Sequence, residues 1–144
     1  MITGDDYSVM VDAGLNCKTL CSLMDTEGIE PKSLKALLLT HEHTDHICGA
    51  RVLAKKFGIP IYCTEGTYGG FDHGNADFCP ITSGSVFEVC GMDVTALPTS
   101  HDVADPTAFS LSLDGKTVSI ITDTGILTPP CVDALRTSDL AIIE

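Results

Sequence analysis

Thr40-His41-Glu42-His43-Thr44-Asp45-His46 sets three imidazoles and an aspartate into seven residues, directly after the apolar run Ala36-Leu37-Leu38-Leu39. An uninterrupted apolar run of this length is the pattern of a strand buried on both faces, so the polar string is delivered at a strand end. In an extended segment, side chains two apart point the same way. His41 and His43 can therefore converge on one ion while Glu42 points elsewhere. Asp45 and His46 then open the next helix and aim at a second ion beside the first. The competing reading is an exposed turn with chance histidines. Four of the chain's five histidines are His41, His43, His46 and His101, and that concentration decides against chance.

The donor mixture suits zinc, which takes imidazole nitrogen and carboxylate oxygen and keeps a position open for water at catalytic sites. Neutral imidazoles leave the ion's charge uncancelled, so it can lower the pKa of bound water to roughly 7 and supply hydroxide at neutral pH. Two ions roughly 3.5–4 Å apart could share that hydroxide and clamp the oxygens of a scissile ester or phosphodiester. Manganese and iron are the other candidate metals. Further donors stand at other strand ends: His101 follows Leu97-Pro98-Thr99-Ser100, and Asp123 follows Ile120-Ile121-Thr122.

Working outward, Ser8-Val9-Met10-Val11 reads as a short strand leading into the turn Asp12-Ala13-Gly14. Asn16 caps a helix whose apolar face is Cys17, Leu20, Cys21 and Met24 and whose stop is Gly28. After the histidine string a helix carries Ile47, Ala50, Leu53, Ala54 and Phe57 on one face and stops at Gly58. A strand follows at Ile59-Cys63, which implies a parallel crossover. Thr64 to Ser85 is rich in Gly, Thr and Asp and reads as a long loop with one helical turn. Strands follow at Val86-Val89, Met92-Leu97, Thr107-Leu113 and Thr117-Thr122, with Asp114-Gly115 as a hairpin turn. The chain ends in a helix, Pro130 to Arg136, and a strand, Leu140-Ile143. No repeat, low-complexity tract or linker interrupts residues 1–144, which read as one α/β domain.

Composition bounds the function. With 8 Lys and Arg against 20 Asp and Glu, the net charge is −12, which argues against a broad electrostatic grip on nucleic-acid phosphates. Two bound divalent cations would still attract a phosphodiester locally on an acidic body. The seven cysteines are odd in number and contain no Cys-x-x-Cys pair, so a disulfide framework is not expected and they read as free, small buried hydrophobes. Neither a signal peptide nor an apolar run of membrane-spanning length is present, and the reading is a cytoplasmic protein with no membrane association. Nucleophile-elbow, P-loop and dinucleotide motifs are also absent.

The His-x-His-x-Asp-His string, with Ser100-His101 and Thr122-Asp123-Thr124-Gly125 after it, resembles the successive metal motifs of the metallo-β-lactamase superfamily. The resemblance implies an αββα sandwich. By it, His41, His43 and His101 hold a first metal, Asp45 and His46 a second, and Asp123 bridges them, with Asp45 and His101 the candidate catalytic residues. Asp12-Ala13-Gly14 and Ser100-His101-Asp102-Val103-Ala104-Asp105-Pro106 narrow the resemblance to the bacterial WalJ (YycJ) group, regarded as metal-dependent nucleases acting on DNA ends.

Two departures from the family stand out. Its Gly/Ser-rich strand and turn upstream of Met1 are missing, and no histidine follows His101 to complete the second metal. The chain stops at Glu144, straight after an apolar strand. The expectation is therefore an incomplete copy of the fold, lacking its N-terminal strand and C-terminal part, with a full first metal site and a partial second.

Around the motifs, Asp12 is either an acceptor for an imidazole N–H of a ligand or a plain turn aspartate. Asp102 and Asp105 either orient His101 or cap a turn, His73 reads as a solvated loop residue, and Cys48 as packing. The leading functional reading is hydrolysis by zinc-bound hydroxide, with a nucleic-acid phosphodiester as substrate. A thioester or other small ester on the same site is the alternative within the class. A di-iron oxidoreductase is an alternative of another class, disfavoured because the related flavodiiron branch carries Glu at the position of His43. An inactive metal-binding fragment is the last.

Overall fold

Side chains alternate along Ala36-Leu37-Leu38-Leu39, and this alternation sorts what lies on either side. Leu37 and Leu39 enter one apolar cluster, and Ala36 and Leu38 enter another. The computed structural model describes residues 1–144. Its first sheet has the order β1 (Ile2–Thr3), β2 (Ser8–Val11), β3 (Leu34–Leu38), β4 (Ile61–Cys63) and β5 (Phe78–Pro80). All its pairings are parallel except β1 with β2. The second sheet has the order β10 (Leu140–Ile143), β9 (Lys116–Ile121), β8 (Thr107–Leu113), β7 (Met92–Pro98) and β6 (Val86–Val89). It is antiparallel except for β10, which runs parallel to β9.

The layers follow from which face is apolar. On one side of the first sheet, Met10, Leu37 and Ile61 bury against α1 (Cys17–Thr26) and α3 (Ala50–Phe57), through Cys17, Met24, Ala50, Leu53 and Ala54. On the other side, Val9, Ala36 and Leu38 meet Val94, Ala96, Phe109, Leu111 and Ile120 of the second sheet. That sheet's outer face, at Leu97, Ala108 and Ile121, is covered by Cys131, Ala134 and Leu135 of α5 (Pro129–Thr137). Helices, sheet, sheet and helix are thus four layers, the expected αββα arrangement. No helix is long and apolar enough to cross a membrane.

Three local expectations need correction. The helix after the histidine string is two helices, α2 (Thr44–Ile47) and α3, because the Gly49 N–H donates to the Ala13 carbonyl at 2.7 Å. The stretch 64–85 is more ordered than a loop. Thr64 caps α4 (Glu65–Gly69), its side chain accepting the Thr67 N–H, and Phe78–Pro80 pairs in register with Ile61–Cys63. Such a three-residue strand carries no readable alternation. All seven cysteines are free, but only Cys17, Cys63 and Cys131 are buried; Cys48 and Cys90 are exposed.

The strand ends position the site. Asp12 follows β2 and Thr40-His41 follow β3, while His101 follows β7 and Asp123 follows β9. The two sheets are tied together at this edge by the Thr107 N–H, which donates to the Thr40 carbonyl at 2.9 Å.

Candidate metal centre

Two backbone contacts shape the loop that carries the histidines. The Ala13 N–H donates to the His46 carbonyl at 2.6 Å, and the Gly49 N–H returns to the Ala13 carbonyl. The turn after β2 is thereby stitched along the whole of α2. Gly14 permits this approach, since a Cβ there would overlap the Asp45 carbonyl oxygen. Asp12 and Asp123 both adopt left-handed backbone conformations, with φ of 55° and 50°, which aspartate tolerates better than most residues.

Hydrogen bonds determine which ring nitrogen of His41 and of His46 faces inward. Asp12 accepts the Thr40 N–H on Oδ1 and the Thr40 hydroxyl on Oδ2, each at 2.8 Å. With its one proton committed to Asp12, the Thr40 oxygen can only accept from His41 Nδ1, 3.0 Å away. That leaves the His41 lone pair on Nε2. The same Asp12 Oδ2 lies 2.8 Å from His46 Nδ1 and, as a carboxylate, must accept its proton. His46 Nε2 then faces Asp123 Oδ2 at 2.9 Å. Of the two readings of Asp12, imidazole acceptor or plain turn aspartate, the contacts favour the acceptor, and it supports two rings.

The rings converge. One donor atom from each of His41, His43 and His101 lies within 4.8 Å of the others, and the same holds for His41, His46 and Asp123. His43 Nδ1 and His101 Nε2 are 3.1 Å apart. Nitrogens sharing one tetrahedral zinc at roughly 2.0–2.1 Å stand about 3.3–3.4 Å from each other, so this pair is already near chelating distance.

Two observations show that a cation fits. His41 is 2% exposed, and its Nε2 is buried without a hydrogen-bond partner. An orphaned buried polar atom costs about 1–3 kcal/mol, which coordination would recover. Asp123 Oδ2 is likewise without a hydrogen bond although His46 Nε2 stands beside it. Two lone-pair-bearing atoms that close need a cation or a proton between them. The residues present therefore fit a divalent metal.

Titration behaviour follows from the same contacts. Burial, reinforced by the neighbouring His46, lowers the His41 pKa from 6.5 and keeps the ring neutral, the form that binds metal. The hydrogen bond to Asp12 raises that of His46 from 6.5 against the opposing effect of burial, with the Asp12 and Asp123 charges adding to the rise.

Not every residue expected at the site is brought in. The Asp45 carboxylate is 82% exposed and 3.8 Å from His46 Nε2, outside both clusters. Asp102 Oδ1 lies 3.3 Å from His101 Nδ1, leaving Nε2 for the cluster. Asp105 contributes its backbone carbonyl, which accepts the Thr64 hydroxyl. Glu42 points away from the rings as expected; its Oε1 accepts the Ala104 N–H, and its chain packs over Gly70. His73 stacks on Tyr68 at 3.7 Å, and Cys48 joins no donor cluster. Sequence reasoning misses Thr40. Its hydroxyl beside His41 is the available signal, but the link to Asp12, 28 residues away, is not readable from the chain.

Comparison with known proteins identifies the family and the fold. A model described as the β-lactamase superfamily domain matches residues 7–144. Exodeoxyribonuclease WalJ of Streptococcus pneumoniae serotype 2 (strain D39 / NCTC 7466) is 32% identical over 145 residues, covering 94% of this chain and 53% of that protein. Exodeoxyribonuclease YycJ of Bacillus anthracis is 29% identical over 148 residues, covering 97% and 55%. The chain spans about half the length of the curated relatives it matches. Among solved structures, Zn(2+)-bound PqqB from Methylobacterium extorquens superposes with a TM-score of 0.81 at 18% identity, over 99% of this chain and 58% of that one. Rm3 metallo-β-lactamase gives 0.75 at 16% identity, over 98% and 69%. The chain belongs to the β-lactamase superfamily and has the metallo-β-lactamase fold.

Proposed function

We propose that this chain carries the metal centre of a metal-dependent hydrolase that cleaves nucleic-acid phosphodiesters, acting as a DNA exonuclease. The observation that carries the reading is the convergence of His41, His43 and His101 around the unpartnered, buried His41 Nε2. The exodeoxyribonuclease names of the two relatives supply the substrate class. In this reading zinc is the metal, His41, His43 and His101 hold one ion, and His46 with Asp123 holds a second. Bound there, the metal would lower the pKa of water toward neutrality and offset charge on a phosphate oxygen.

The chain's own groups do the rest. Asp12 and Thr40 lock the His41 and His46 tautomers so that both lone pairs face inward without a search. Asp45, exposed and 3.8 Å from His46 Nε2, is the carboxylate free to take a proton from an attacking water. His101, oriented by Asp102, places its Nε2 beside His43 Nδ1, where the two nitrogens can hold the same ion. No serine or cysteine nucleophile is required.

The test is release of nucleotides from end-labelled linear DNA by the zinc- or manganese-supplemented chain. A His101→Ala change should abolish it, and Asp45→Asn should lower it by about 10²-fold or more, on the order of a general base's contribution. Activity unaffected by either change, or confined to small esters, would contradict the reading.

A further inference from the structure

Away from the histidine cluster, α1 carries a pair of neighbouring thiols. Cys17 and Cys21 are one helical turn apart and therefore share a face, with their sulfurs 4.0 Å from each other. Met24 continues that face, 2% exposed in the same apolar cluster as Cys17. From α3, the Lys56 ammonium reaches across to within 3.8 Å of the Cys21 sulfur.

We propose that Cys17 and Cys21 form a two-thiolate site for a soft monovalent cation of the copper(I) class. The spacing suits it. Taking about 2.3 Å as the metal–sulfur distance, two sulfurs on one ion are about 3.8 Å apart at the tetrahedral angle and about 4.6 Å when collinear. The observed 4.0 Å falls inside that window. Charge suits it as well: two thiolates and one monovalent cation leave a single negative charge, opposite the Lys56 ammonium.

Zinc is a poorer match, because structural zinc takes four ligands and no third His, Cys, Asp or Glu donor joins the pair. Thiolate sulfur in an apolar, methionine-bearing setting selects for soft ions, whereas the imidazole and carboxylate cluster takes borderline ones. Burial, followed by the neighbouring Cys21, pushes the Cys17 thiol above its ordinary value. Uptake of the cation forms two metal–sulfur bonds and releases two protons, with no change of oxidation state.

The experiment is an anaerobic competition in which the chain draws copper(I) from a chromophoric chelator, followed by X-ray absorption at the copper edge. One ion per chain in a sulfur environment is expected. Cys17→Ser and Cys21→Ser should each weaken retention by about 100-fold or more, Lys56→Gln should weaken it several-fold, and Cys90→Ser should leave it unchanged. Nitrogen ligands at copper, retention by the Cys21→Ser variant, dependence on Cys90, or no uptake by the wild type would each overturn the proposal. The absorption spectrum separates capture by the histidines from capture by the thiols, even where a serine variant folds poorly.

Discussion

Asp12 Oδ2 accepts the Nδ1–H of His46 across 2.8 Å. The other contacts of this carboxylate, to the Thr40 backbone and hydroxyl, make it the shared support of His41 and His46. Asp12→Asn keeps the size but removes the charge and one acceptor. Loss of such a support typically costs about 10–100-fold in metal affinity, and that is the expected drop here. Zinc competition with a chromophoric chelator reads it, and an unchanged dissociation constant would show that Asp12 does not orient the ligands.

His41 and His46 should titrate on opposite sides of 6.5 in metal-free protein. His46 has its folded-state pKa raised, so its contribution to stability is full below 6.5 and fades as pH rises through the raised value. His41 has a lowered value, so the folded state loses stability as pH falls below 6.5 toward that lower pKa. NMR titration of the imidazole carbons checks this. On acidification His46 protonates before His41, and Asp12→Asn moves His46 downward; the reverse order would refute the hydrogen-bond assignment.

Gly14 is where the site meets the fold. A Cβ added at this position would overlap the Asp45 carbonyl, and the hydrogen bonds between Ala13 and both His46 and Gly49 prevent the backbone from moving away. Gly14→Ala should destabilise by about 2–3 kcal/mol, the upper part of the overpacking range, and weaken metal binding with it. Gly69→Ala is the control, since nothing lies near its added Cβ and it sits in a helix, so it should be neutral or slightly stabilising. Denaturant melts that show equal effects would place the close contact elsewhere.

Much of this was legible because local pattern and tertiary demand coincide. The apolar run before Thr40 is buried on both faces as its composition requires, and the i, i+2 spacing brings His41 and His43 together. Where long-range contacts decide, the sequence is silent. Gly49 breaks the helix only because Ala13 claims its N–H, β5 exists only because β4 offers an edge, and Thr40 matters only through Asp12. Asp45 illustrates the reverse. The family motif puts it with the metal ligands, yet as the second residue of a short helix it has its carboxylate in solvent.

If DNA is the substrate, as proposed, its binding should depend on metal more than on basic side chains. With a net charge of −12 the body repels phosphate, so the attraction has to come from the centre itself. Metal-loaded chain should bind a short duplex at least tenfold more tightly than metal-free chain in fluorescence anisotropy. Equal affinities would mean that DNA is held elsewhere or is not the substrate.

The most direct measurement is metal content per chain, after zinc loading of protein made without a histidine tag, for the wild type and a His41→Ala, His101→Ala double variant. His41 belongs to both donor clusters, so zinc is expected on the wild type and absent from the double variant. Zinc retained by the double variant, or none taken up by the wild type, would contradict the assignment of these histidines as the metal centre.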